Sequence, residues 1–271
     1  MGFKSFHKVV EEGKLWKQKR NPILWVPLMS PTVRNRTLTL YNLEMLEVTN
    51  ELAEARIWAA TFLGSKNAAK YYMSRQNFVA AYNVESSFSF IVKGEPFYGQ
   101  LYGVNPYVDP RCTEVAILGK LESENFVVRG GGFQFWEAVT TESGSPIEIL
   151  RDAAEINQMI GEHAPDSSVR PGDPEEVFWG GIRDQEGELV ACAVVVRWQS
   201  GFHVLSSVVT RTQDRGKGYA TALSRGIISH AYSFGIEEIG LGVRTANIAA
   251  QRAYQRAGFK MIGAFTNYSR A

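Results

Sequence analysis

The spacing of apolar positions changes character along the chain. Over 42–63, Leu43, Leu46, Ala53, Ile57 and Ala60 recur at roughly helical intervals, which predicts a helix. A second helical stretch is predicted over 66–81. The period then shortens. Ser87-Phe88-Ser89-Phe90-Ile91-Val92 reads as a strand closed by Lys93-Gly94-Glu95-Pro96. Further strands are expected at 97–104 and 113–118, with Asn105-Pro106 and Asp109-Pro110 as turn signals between them. Gly130-Gly131-Gly132 precedes an aromatic strand at 133–139. This half is α/β or α+β, and its period does not reveal a topology.

The second half is clearer. A helix is predicted over 151–162, where Ala153, Ile156, Met159 and Ile160 are apolar and His163-Ala164-Pro165 ends the run. Strands follow at 176–182, 189–198 and 202–210, joined by Asp184-Gln185-Glu186-Gly187-Glu188 and Gln199-Ser200-Gly201. Next come a helix over 218–234, a strand at 238–243, a helix over 247–257 and a final strand at 261–268. A meander feeding two crossover helices implies a mixed sheet with helices packed on it. The expected organisation is an N-terminal α/β domain over 1–130 and a second domain over 131–271.

Composition narrows the classes. The 271 residues carry 29 Lys+Arg against 28 Asp+Glu, a net charge of +1, so nothing global favours nucleic acid or a membrane surface. Hydrophobic content of 45% excludes a disordered chain. The two cysteines, Cys112 and Cys192, cannot make a disulfide scaffold or a four-thiolate zinc site, and the histidines show no metal-ligand spacing. The basic first 20 residues lack a following apolar stretch, so no secretory signal is expected. The expectation is a soluble cytoplasmic protein without a metal.

Local charge departs from the global balance in one segment, Val208-Val209-Thr210-Arg211-Thr212-Gln213-Asp214-Arg215-Gly216-Lys217-Gly218-Tyr219-Ala220. A strand runs into a glycine turn that opens a helix. The first amides of a helix have no intrahelical partner, and glycine lets a phosphate approach them. Arg211, Arg215 and Lys217 add cations, so the segment is a candidate pyrophosphate cradle; a turn with solvated charges is the plainer reading. A P-loop is excluded by Gly218 and Tyr219 where that motif needs Lys and Ser/Thr. A dinucleotide turn lacks its third glycine, since Thr221 stands there.

Gln213-x-x-Gly216-x-Gly218 resembles the Gln/Arg-x-x-Gly-x-Gly/Ala signature of the GNAT superfamily of N-acetyltransferases. Asn247-Ile248-Ala249-Ala250-Gln251-Arg252-Ala253-Tyr254-Gln255-Arg256-Ala257-Gly258-Phe259 resembles that family's late Asn-x-x-Ala-x-x-x-Tyr-x-x-x-Gly-Phe motif. The resemblance covers about 145–271, and the N-terminal half is a degenerate copy of the same fold or an unrelated cap. It implies a mixed, mostly antiparallel sheet flanked by helices. It also implies acetyl-CoA as co-substrate and an amine acceptor. By matching position, the backbone of Val208, Val209 and Thr210 would lie along the pantetheine. Gln213 and the amides of Arg215, Gly216, Lys217, Gly218, Tyr219 and Ala220 would surround the pyrophosphate. Asn247 would lie near the pantetheine arm, and Tyr254 would serve as general acid at the sulfur.

The base is the departure. Family members often carry a glutamate on the strand before the turn, but Phe202-His203-Val204-Leu205-Ser206-Ser207 contains no carboxylate. His203 has a suitable type of side chain, and Ser206 or Ser207 could order a water. Cys192 lies in an apolar strand and reads as structural. The acceptor is a small or amino-acid-like amine in the first reading, and a protein lysine or N-terminus in the second. A non-catalytic acyl-CoA sensor is the third. A monomer and a homodimer are both compatible with the chain.

Overall fold

The computed structural model describes residues 46–63, 78–84, 87–93, 97–198 and 201–271. The elements in chain order are β1 (Glu47–Thr49), α1 (Leu52–Leu63), β2 (Phe78–Val84), β3 (Ser87–Val92), β4 (Phe97–Val104), β5 (Cys112–Lys120), β6 (Phe126–Val128), β7 (Phe133–Val139) and β8 (Glu148–Leu150). They continue with α2 (Ala153–His163), β9 (Glu176–Arg183), β10 (Leu189–Arg197), β11 (His203–Thr210), α3 (Tyr219–Ser233), β12 (Glu238–Arg244), α4 (Ile248–Ala257) and β13 (Lys260–Arg270).

Two expectations change. The helix predicted over 42–63 begins only at Leu52, because Glu47–Thr49 pairs with β2. Of the stretch predicted as helix over 66–81, 66–77 lies outside the described residues. Positions 78–81 belong to β2, where pairing with β3 overrides an alanine-containing run that fits either period. The short strands β1, β6 and β8 span too few residues to show a period in the sequence.

The strands form one mixed sheet in the order β1-β2-β3-β4-β5-β13-β7-β12-β11-β10-β9-β8, with β6 beside β13. All neighbours are antiparallel except β4–β5 and β11–β12. The order contains a repeat. Four antiparallel strands followed by a parallel partner occur as β1-β2-β3-β4 with β5, and again as β8-β9-β10-β11 with β12. The long β13 serves both runs: Lys260–Phe265 pairs with β7, and Thr266–Ser269 pairs with β5. Phe265 sits at this crossing, 2% exposed, stacked on Phe133 and edge-on to Tyr102 and Phe135.

Helices cover both faces. Ala55 and Ala59 of α1 share one hydrophobic cluster with Ile156, Met159 and Ile160 of α2. Leu223 and Ile227 of α3 share the other with Tyr254 and Ala257 of α4. Ile156, Met159 and Ile160 bury one face of α2 at the spacing the sequence predicted. Asp152 caps its start by accepting from the amides of Ala154 and Glu155, a contribution of about 1 kcal/mol. Arg183 then ties α2 to β8 through Glu155 and Glu148, each at 2.6 Å. Buried on both sides, β10 reads as an uninterrupted apolar run from Leu189 to Val196. Among the described residues no helix is long and apolar enough to cross a membrane.

Candidate active site

The site is built where two parallel strands part. β11 pairs with β12 at Val204 and Gly240, and no further pair follows toward Thr210. An extra residue in β11 shifts its register against β10 between Cys192 and Val194. Ser207 adopts a φ of 45° there, which marks a β-bulge. Its hydroxyl donates to the Val169 carbonyl at 2.9 Å and accepts from the Val169 amide at 3.2 Å. The loop after α2 is thereby strapped to the bulge. Ser207 is committed to that contact.

After β11 the chain makes a short 3-10 turn at Thr212–Asp214 and enters α3 through Gly218. Gly218 has a φ of 92°, a left-handed conformation that L side chains rarely adopt. No side chain caps α3. This contrasts with α2, capped by Asp152, and α4, capped by Asn247. The first intrahelical bond of α3 runs from the Ala222 amide to Gly218, so the amides of Tyr219, Ala220 and Thr221 have no helical acceptor. Amides at such a helix start, beside a cavity, suit a negatively charged group.

The cations of the turn divide into two groups. Asp214 is buried, and Lys217 donates to it at 2.7 Å while Arg211 pairs with its other oxygen. Arg211 also reaches Asp184 at 2.8 Å. Lys217 first, and Arg211 next, hold the Asp214 carboxyl below the usual carboxylate range. These two cations therefore fix the turn. Arg215 instead donates to the carbonyls of His163 and Thr210. It joins the end of α2 to the end of β11, with no carboxylate paired to it among the described residues.

The opposite wall is α4. Asn247 accepts from the Ala250 amide at 3.1 Å and sets the helix start. Small residues, Ala249, Ala250 and Ala253, face the cavity. Tyr254 is 7% exposed, edge-on to Phe259 at 5.9 Å, and its hydroxyl makes no hydrogen bond among the described residues. Burial pushes its pKa up to about 12, so the phenol stays protonated at neutral pH. Arg252 and Arg256, one helical turn apart, stand at the rim. The whole encloses a cavity of about 620 Å³, a size suited to a large organic ligand.

Of the residues singled out in the sequence, Val208, Val209, Thr210, Arg215, Gly216, Gly218, Tyr219, Ala220, Asn247 and Tyr254 line this cavity. Gln213, Lys217, His203 and Ser206 do not. Gln213 is exposed. His203 opens β11, five positions before Val208, or roughly 16 Å along an extended strand. Burial, and then Arg197, lower its pKa, so it is neutral at pH 7. Cys192 is fully buried, and burial pushes its thiol up to about 12. The same Gln/Arg-x-x-Gly-x-Gly/Ala spacing recurs two residues on, as Arg215-x-x-Gly218-x-Ala220, and those three residues all line the cavity. His163, Arg252 and Arg256 were missed. The i,i+4 spacing of two arginines on a helix without acids was the available signal for the latter pair.

Residues 147–259 match the family model described as Acetyltransferase (GNAT) family. No curated protein matches the chain. Among solved structures the chain is similar to a GCN5-related N-acetyltransferase from Sphaerobacter thermophilus, with a TM-score of 0.50 and 15% identity over 83% of this chain and 95% of that one. It is also similar to a GCN5-related N-acetyltransferase from Kribbella flavida, with a TM-score of 0.50 and 13% identity over 80% of this chain and 95% of that one. At such identities the likeness is one of fold. It extends over more residues than 131–271 contain, and so reaches into the N-terminal half.

Proposed function

From the match of residues 147–259 to the GNAT acetyltransferase family model, we propose that the protein is an acetyl-CoA-dependent N-acetyltransferase acting on the primary amine of a small or amino-acid-like acceptor. The observation that carries this reading is the uncapped start of α3, set in one cavity with the unpartnered Tyr254 hydroxyl. The residues fit the coenzyme. The amides of Tyr219, Ala220 and Thr221, with Arg215, suit a pyrophosphate. Beyond Val204 the free edge of β11 offers backbone groups to the amide-bearing pantetheine arm, much as an added strand would use them. The alanines of α4 leave width for that arm. Arg252 and Arg256 suit the phosphate end of the nucleotide.

In the transfer an ammonium acceptor loses one proton, and its nitrogen attacks the thioester carbon. The carbon–sulfur bond breaks, and the sulfur ends as a thiol. Tyr254 donates a hydrogen bond to the sulfur as charge builds there. With a pKa raised to about 12, full proton transfer from the phenol to an ordinary thiolate near 8.5 is uphill by roughly 5 kcal/mol. Its contribution is therefore strongest as a donor that stabilises the leaving sulfur while the second nitrogen proton arrives.

The N-terminal half fits a degenerate copy of the same fold, one without a coenzyme site. Beyond one irregularity at Phe97, its parallel pair β4–β5 stays in register from Tyr98/Glu114 to Val104/Lys120, so no parting opens. At Gly119 a Cβ would lie 2.0 Å from the Gly103 carbonyl oxygen, which shows how closely the pair is zipped. Residues 105–111, and no helix, connect the two strands.

The test is thiol release from acetyl-CoA across a panel of primary amines, amino acids and peptides. Amine-dependent release with small acceptors is the expected result. Tight acetyl-CoA binding by calorimetry with no release for any amine would refute the enzymatic assignment.

A further inference from the structure

The strand before the glycine turn offers no carboxylate, so the proton of the acceptor ammonium needs another base. Strand alternation shows where one stands. On β12, Ile239, Leu241 and Val243 pack with α3 and α4. Glu238, Gly240 and Gly242 therefore face the α2 side. On β7, Trp136 and Ala138 pack with α3 and α4, whereas Phe135 packs in the α2 cluster. Glu137 shares the side of Phe135. On β11, Val204 lies in the α2 cluster and Leu205 in the other, which puts Ser206 on the α2 side as well.

Register completes the arrangement. Glu137 stands opposite Gly240, and Gly240 stands opposite Val204, the last pair before β11 and β12 part. Glu137 and β11 are two strand spacings apart, roughly 10 Å between backbones. The strand between them carries only glycine on this face near the parting. Two side chains with one amine nitrogen or water between them would span a backbone separation of that order, from Glu137 to the Ser206 hydroxyl. Among the strand neighbours described, the charged groups beside Glu137 include Lys260, directly across on β13, and Glu238, diagonal on β12. The helices of this face pack mainly elsewhere, α2 on β10 and β11 and α1 on β2 and β3.

We propose that Glu137 is the general base, acting across the Gly240–Gly242 strip on an amine held against Ser206. The assignment rests on the acetyltransferase reading. One ammonium N–H bond breaks, and its proton passes to the Glu137 carboxylate, directly or through one water. The nitrogen lone pair forms the new carbon–nitrogen bond, the carbon–sulfur electrons leave with sulfur, and sulfur takes the second nitrogen proton. Glu137 then returns its proton to solvent, so amine, thiol, amide and one released proton balance.

The experiment compares wild type, Glu137→Gln, Glu137→Asp and Glu238→Gln with acetyl-CoA and the best primary amine of the panel. Glu137→Gln is expected to lower kcat about 100-fold or more and to abolish the acidic limb of the pH profile, with an unchanged calorimetric Kd for CoA. Glu137→Asp is expected to restore part of the rate and the limb, and Glu238→Gln to keep both. Wild-type kcat and pH dependence in Glu137→Gln would overturn the assignment alone. So would a rate loss matched by weaker CoA binding or a lower melting temperature, since that marks a structural role. A wild type that acetylates no amine removes the underlying reading and the base with it.

Discussion

The Tyr254 hydroxyl should matter far more for catalysis than for stability at neutral pH, and Tyr254→Phe separates the two. The substitution deletes one oxygen and leaves the ring against Phe259. That oxygen makes no hydrogen bond among the described residues, and its residue lines the cavity, which is open to water in the free enzyme, so removing it leaves no large desolvation cost to recover. The variant should therefore unfold at nearly the wild-type denaturant midpoint at pH 7. Losing a donor aimed at developing charge costs about 2.7–4 kcal/mol of transition-state stabilisation, or roughly 100- to 1,000-fold in kcat. The Kd for CoA should stay within about threefold, because a few tenths of a kcal/mol is all the free thiol gains from one such contact. A pH signature accompanies this. A phenol raised from an ordinary 10 to about 12 favours the folded state while protonated. Stability is full below pH 10 and falls by roughly 2.7 kcal/mol as pH rises through 12. The variant should lack that alkaline loss. Urea unfolding at pH 7 and pH 11, run beside steady-state rates, reads all of this. Undiminished kcat, or destabilisation beyond about 1 kcal/mol at pH 7, would refute the assigned role.

Other outcomes follow from the same geometry. Arg252→Ala and Arg256→Ala should each weaken CoA binding about tenfold by calorimetry, an energy of about 1.4 kcal/mol, with a smaller effect on 3′-dephospho-CoA. Phe265→Ala should cost about 3–5 kcal/mol in equilibrium unfolding, in a single transition, because its ring packs where β13 passes between the two strand runs. Separate transitions for the two halves would contradict that coupling. His203→Gln should change kcat less than about twofold between pH 6 and 8, since the residue lies outside the cavity.

Local features of the site were legible because local chemistry produces them. The Asn247 cap, the Gly258 turn and the uncapped glycine entry to α3 are short-range consequences of residue type, and the sequence predicts each helix end within two residues. The cradle was less legible. Gln213 and Arg215 begin equally good versions of one spacing. Only the folded turn, with Gly216 and Gly218 both at positive φ, shows that Arg215, Gly218 and Ala220 face the cavity. Charge misled for a related reason. Arg211 and Lys217 looked like phosphate ligands until Asp214 and Asp184 were seen to engage them.

The sequence by itself determined the helices and the longer strands of residues 151–271 and the two motifs that resemble those of GNAT acetyltransferases, since these depend on neighbours within a turn or two. The tertiary structure decided which strands lie side by side. It showed that β13 serves both runs of the sheet, that the N-terminal strands repeat the order of the C-terminal ones, and that Glu137 stands two strands from β11 across a glycine-bare strip. Those facts depend on register between segments far apart in the chain. Alternation within a strand says which residues share a face, but only pairing across the sheet says which faces meet.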